Sequence, residues 1–150
     1  MNPLIETWQI HNRINAYLLE SIAEGNLGDI SSSKGRTVAE QFAHINNVRL
    51  MWLKVADAGL LAGLTKIEKG NISKDILLSE LRLSGAAIER LFERSIDGRI
   101  KGFKPHATAF LAYLVSHESH HRGQIMLALK QSGHPVDQKT QYGLWEWGTR

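Results

Sequence analysis

Residues 117 to 121 read His-Glu-Ser-His-His, three of the chain's seven histidines within five positions. Neutral imidazoles ligate transition metals, so the first question is which of these rings share a face. On a helix, residues four apart lie one above the other. His117 and His121 meet that condition. The stripe through them continues backwards to Leu114, Phe110 or Leu111, and Ala107, and forwards to Gln124 or Ile125, and Ala128. An apolar stripe of this kind is expected to face a core, so both rings should point inward. Two unpaired imidazoles in an apolar setting would each cost desolvation, and one shared ion satisfies both. His120 falls off the stripe, on the side of Tyr113 and Ser116. A third ring is available at His44, on a stripe with Gln41, Val48, Met51 or Trp52, and Val55 that is also expected to face inward. Three imidazoles from two helices can hold a divalent metal and leave positions open, as in catalytic zinc sites.

The same letters satisfy the H-E-x-x-H pattern of zinc proteases, where the glutamate is a general base. The extended form of that motif needs glycine and histidine where this chain has Gln124 and Leu127. The other form needs a downstream glutamate as third ligand, and only Glu146 follows, within an aromatic tail. No strand is expected against which a peptide could be aligned. A protease is therefore disfavoured. Glu118 is offset from His117 by about 100° and Tyr113 precedes it by one turn; these two are the candidates for acid–base work. Gln124 and His120 are the candidates to support a ligand imidazole from behind by hydrogen bonding. His11, His106 and His134 are expected to be structural or superficial.

Such a site needs helices to carry it. Helical periodicity recurs in four blocks and no sustained strand alternation occurs. The first runs from about Pro3 to Ala23, with Leu4, Trp8, His11 or Asn12, Leu18 or Leu19, and Ile22 on one face. The second starts near Thr37, where Glu40 three residues on makes a capping box, and reaches about Ala58. The third, about Lys74 to Ser95, is capped by Ser73 and turns Leu81, Ser84 and Ile88 inward. The fourth opens at Pro105 and runs to Gln131, with Gly133 and Pro135 beyond. Four long amphipathic blocks predict a single all-α domain over residues 1–150, a four-helix bundle. The aromatic tail, Gln141 to Trp147, is expected to pack on the bundle or on a partner chain.

Composition narrows the function. The 150 residues contain no cysteine. Disulfides, thiolate metal sites and a cysteine nucleophile are excluded, and a reducing, cytoplasmic setting is expected. No apolar run is long enough to span a bilayer. The net charge of +3 is modest. The stretch Arg94 to Lys104 lacks the aromatic interleaving of a single-strand binder, so a solvated loop is expected there and no nucleic-acid partner.

The run Glu118-Ser119-His120-His121-Arg122-Gly123-Gln124-Ile125, with Leu129 and Gly133 beyond, resembles the helix-four motif H-x-x-x-H-R-G-Q of the DinB-like superfamily. The segment Thr37 to Ile45 is similar to its helix-two motif. The resemblance spans nearly the whole chain. It implies a four-helix bundle with an unusual crossover connection, commonly a homodimer. It implies metal ligation by His44, His117 and His121, with zinc or nickel the main expectation and iron or manganese as further choices. It also implies thiol-dependent transfer or isomerisation with a low-molecular-weight thiol, or hydrolysis of a small molecule. The competing expectation is a non-enzymatic, stress-related dimeric bundle whose metal is structural or vestigial, for which His120 would serve as fourth ligand. Gly123 is expected to allow a close helix approach, and Arg122 to pair with Glu118.

Overall fold

The computed structural model describes residues 2–70, 72–95 and 97–150. Four long helices fall where the periodicity placed them, with ends within two residues: α1 (Pro3–Ser21), α2 (Val38–Ala56), α3 (Lys74–Arg94) and α4 (Ala107–Gln131). A short fifth, α5 (Gln138–Gly143), follows. Local chemistry sets the starts. Thr37 Oγ1 accepts from the Glu40 amide and Glu40 Oε1 accepts from the Thr37 amide, both at 3.1 Å, a reciprocal capping box. Ser73 caps α3 through the Ile76 amide at 3.2 Å. Pro105 lies just outside α4 rather than opening it. His106 is the N-cap, its Nδ1 accepting from the Ala109 amide at 3.2 Å.

Helix α3 packs on both α1 and α2, and α4 packs on both α2 and α1. The order around the bundle is therefore α1, α3, α2, α4. Links α1–α2 and α3–α4 cross the diagonal, while α2–α3 joins neighbours. This order sets α2 beside α4 and so brings the two histidine-bearing helices together.

The interior is two apolar clusters. One gathers Ile14, Leu18, Val38, Phe42, Leu77 and Leu129. The other gathers Trp8, Leu53, Ile88, Phe92, Phe110 and Leu114. Burial of such surface is the main favourable term in folding. Between them on the helices lie buried polar residues: His11 and Asn15 on α1, Arg49 on α2, Ser84 on α3, and Glu118 on α4. Close approach of α1 and α3 is permitted at Gly85, where an added Cβ would lie 2.3 Å from Asn12 Nδ2. Gly123, expected to play that part, has nothing within 4 Å of an added Cβ.

The C-terminal tail packs on the bundle. Leu144 is buried in the first cluster and Trp147 packs against it. The Arg150 guanidinium sits 4.1 Å over the Tyr17 ring. Trp145 stays 81% exposed. No helix among the described residues is long and apolar enough to cross a membrane.

Candidate metal centre

One helical turn separates His117 from His121 on α4, and the neighbouring α2 supplies His44. The ligand nitrogens of the three rings all lie within 4.8 Å of one another. The ring centroids of His44 are 5.3 Å from His117 and 4.6 Å from His121. His117 Nε2 and His121 Nε2 are 3.2 Å apart. Two nitrogens sharing one ion at bonds of about 2.0–2.1 Å would keep a separation of this size.

The electrostatics suit a cation. Burial is the largest cause lowering the pKa of all three histidines; the Arg36 charge lowers each, His117 lowers His44 and His121, and Glu118 partly opposes the shift at His117. His121 falls to about 4. The rings are neutral near pH 7 and their lone pairs are free to ligate. His121 is further held from behind. Its Nδ1 donates to Gln41 Oε1 at 2.6 Å, which leaves Nε2 as the lone-pair nitrogen facing the other rings. His117 Nδ1 is buried without a partner, so the two α4 ligands are not equally restrained. On donor type, number, spacing and charge state, the three residues fit a divalent transition metal.

The site is shallower than the sequence stripe implied. On α2 the buried face is Val38, Phe42, Ile45, Asn46, Arg49 and Leu53. The stripe through His44 runs along the rim, and at its far end Met51 and Val55 are 54% and 48% exposed. His44 and His117 are half-buried while His121 is buried. The physical reason is that the Phe42, Ile45, Arg49 and Leu53 side of α2 faces the bundle interior, while His44 meets the α4 histidines at the edge of that packing. That position opens the histidines to solvent. A cavity of about 410 Å³ reaches His44 and is also lined by Arg36, Glu40, Asn47 and Lys66.

Glu118 goes elsewhere. It is 1% exposed, and both carboxylate oxygens are taken. Arg49 donates to them twice, Nε to Oε1 at 2.6 Å and Nη2 to Oε2 at 2.9 Å. Oε2 also accepts from His11 Nε2 at 2.6 Å and Asn15 Nδ2 at 2.8 Å. Burial alone would raise this carboxyl; the Arg49 charge and bonds, with those of His11, outweigh it and hold it far below the usual carboxylate range. The carboxylate is thus a buried anion tying α1, α2 and α4 together. Through Arg49 it reaches α3 at the Leu81 carbonyl and Ser84. Arg122 was expected to pair with Glu118. It bonds instead to Asn15 Oδ1 at 2.7 Å and Ser119 Oγ at 2.9 Å, on the outer side of the same network.

The remaining candidates divide. Gln124 is exposed and does not hold an imidazole; Gln41, on the other helix, does that work. Its signal in the sequence was its position three residues before His44, facing the same groove. His120 is exposed, its ring centroid 4.9 Å from that of His121, and it stands outside the three-nitrogen group. Tyr113 is partly exposed and packs with Trp52, Phe103 and Phe110. Of the tryptophans, Trp8 is a core residue donating to the Gly85 carbonyl at 2.9 Å. Trp145 and Trp147 belong to the tail, so only Trp52 lies on the groove-forming helices. His11 is a core residue paired with Glu118, His106 a helix cap, and His134 a partner of Asp29 at 2.7 Å.

No curated protein and no solved structure matches the chain. The model of the DinB family matches residues 1–149, and with its bundle and its His44, His117 and His121 cluster the chain belongs to that family.

Proposed function

We propose that the protein is a divalent-metal-dependent enzyme acting on a small molecule, as a thiol-dependent transferase or a hydrolase. The observation that carries this reading is the three-histidine cluster: imidazoles from two helices whose ligand nitrogens lie within 4.8 Å of one another, with His44 and His117 only half-buried and His44 lining a cavity. A divalent ion there supplies a Lewis acid that lowers the pKa of a thiol or a water. His44, His117 and His121 are the residues that would hold it. Gln41 fixes the tautomer of His121, and the half-buried His44 keeps one side accessible. With no cysteine in the chain, any thiolate comes from the substrate. Tyr113, one turn before His117, is the candidate on that helix for proton transfer. Glu118 is better understood as the anion that anchors α4, because its oxygens are already committed.

A structural ion normally takes four protein ligands. His120 stands outside the group, which favours the catalytic reading over the structural one. The exposed Tyr142 and Trp145 offer apolar surface for the homodimer that family resemblance implies.

The test is metal content per chain by mass spectrometry on tag-free protein, beside His44→Ala and His121→Ala. The expected result is close to one zinc or nickel per chain, lost in both variants, followed by turnover in a screen of thiol and ester substrates. Metal retained without His44 would overturn the site as described.

A further inference from the structure

The three histidines are neutral, yet a fixed positive charge stands beside them. Arg36 lies exposed in the loop before α2, and among the described residues its side chain has no hydrogen bond or ion pair. It lines two cavities at once. The first is the 410 Å³ cavity that reaches His44. The second, about 220 Å³, is lined by Lys34, Arg36, Gln41 and Gln124, with two serines and no acidic residue. Gln41 is the residue that holds His121, so the first cavity meets the cluster at His44, the second reaches its supporting amide, and Arg36 lines both.

The other charges at the larger cavity are matched. Lys66 has Glu68 at 3.8 Å and Lys69 has Glu40 at 3.6 Å. Arg36 is the cation left over. Arg36 and His44 line the same cavity, so the guanidinium and that ligand ring share one space.

Its loop is held in place. Lys34 and Gly35 both adopt positive φ, 71° and 99°, turning the chain sharply just before Arg36. The loop is pinned to α4 and its C-terminal end by the Ser32 amide on Gln131 Oε1 at 2.7 Å and Ser132 Oγ on the Ile30 carbonyl at 3.1 Å. At its base the Val38 and Ala39 amides donate to the Asp29 and Leu27 carbonyls, each at 2.9 Å. An unpaired arginine on a tethered loop beside a reactive centre is the arrangement that orients a carboxylate, through its planar fork of donors.

We infer that Arg36 is the specificity-determining residue of the site, and that the substrate is an anionic small molecule whose carboxylate it binds while the other end reaches the three-histidine cluster. Lys34, across the smaller cavity, adds to the same positive field. This inference rests on the metal-centre reading above.

The test uses cobalt-loaded full-length protein and thiol probes in matched pairs. Mercaptoacetate is compared with 2-mercaptoethanol, and 3-mercaptopropionate with 3-mercapto-1-propanol. Binding is read from thiolate-to-cobalt absorption, and cobalt stoichiometry is measured separately in every sample. At one chain length or both, the carboxylate should bind at least about tenfold tighter than its alcohol, the equilibrium worth of one charge-assisted hydrogen bond. Arg36→Gln should erase that preference while leaving cobalt stoichiometry and affinity for the alcohols unchanged. Equal binding of acid and alcohol at both lengths, or a preference that survives Arg36→Gln, overturns the inference with the metal site intact. Absence of bound cobalt before any thiol is added refutes the metal-centre reading itself, and the inference falls with it.

Discussion

Gln41 accepts a 2.6 Å hydrogen bond from His121 Nδ1, and this contact between α2 and α4 decides which nitrogen of His121 faces the other two histidines. An amide oxygen can only accept, so His121 must carry its proton on Nδ1 and present a bare Nε2. Removing such a partner typically costs a metal site about 10–100-fold in affinity. Gln41→Leu should therefore weaken zinc binding in that range with little change in thermal unfolding of the metal-free protein. Competition titration against a chelator measures it. Unchanged affinity would mean that packing alone orients the ring.

The Glu118–Arg49 pair makes a different kind of prediction. Both side chains are fully enclosed, and breaking one half of a buried pair leaves an uncompensated charge, at a cost of about 3–5 kcal/mol. Glu118→Gln should lower the unfolding free energy by this order, and the double variant Glu118→Leu with Arg49→Met should recover part of it. Urea denaturation of the wild type, Glu118→Leu, Arg49→Met and the double variant gives the coupling directly. A stable Glu118→Gln protein that has lost only activity would return Glu118 to acid–base chemistry.

These two residues also mark what the sequence could and could not convey. The four blocks, their caps at Thr37 and Ser73, and the inward turn of His117 and His121 were legible because each rests on local period or cap chemistry. Glu118 was not legible as a structural anion. A sequence gives the angle of a side chain about its helix but not the identity of the neighbour in that direction, and here the neighbours are Arg49, 69 positions away, and His11, 107 positions away. The same gap misplaced Gln124. Its place one turn after His120, near the His121 side, suggested a supporting bond, whereas the helix order set Gln41 against the ring.

Acid should destabilise the metal-free protein in two steps. His11 and the three clustered histidines are held below the ordinary 6.5 in the folded state, burial first among the causes. As pH falls through about 6.5 the unfolded chain takes up protons that the folded chain refuses. Stability from these groups is full above that value and declines below it. Glu118 acts in the same sense lower down. Its folded pKa lies far under the ordinary 4.5, so its contribution holds above about 4.5 and is lost as pH drops further. Urea midpoints at pH 7.5, 6.0, 5.0 and 4.0 should fall monotonically. The same lowering protects metal binding. With His121 at about 4, protons compete for its ring only well below neutrality, and the zinc dissociation constant should change by less than about tenfold between pH 7.5 and 6.0. A steeper loss would show the rings titrating as free imidazoles.

Gly85 and Gly123 both sit inside long helices, and their environments predict opposite responses to alanine. At Gly123 an added Cβ meets nothing within 4 Å, so Gly123→Ala should gain the helix-propensity difference, about 0.5–1 kcal/mol. At Gly85 the same Cβ would come within 2.3–2.8 Å of three Asn12 side-chain atoms, at the point where α1 and α3 touch and the Gly85 carbonyl receives the Trp8 indole. Gly85→Ala should therefore forfeit the propensity gain and lose about 1–3 kcal/mol to overpacking. Asn12→Ala beside Gly85→Ala separates side-chain crowding from a backbone requirement. Rescue by Asn12→Ala assigns the cost to the side chain, and failure to rescue places it in the helix–helix spacing that seats Trp8 beneath Arg49.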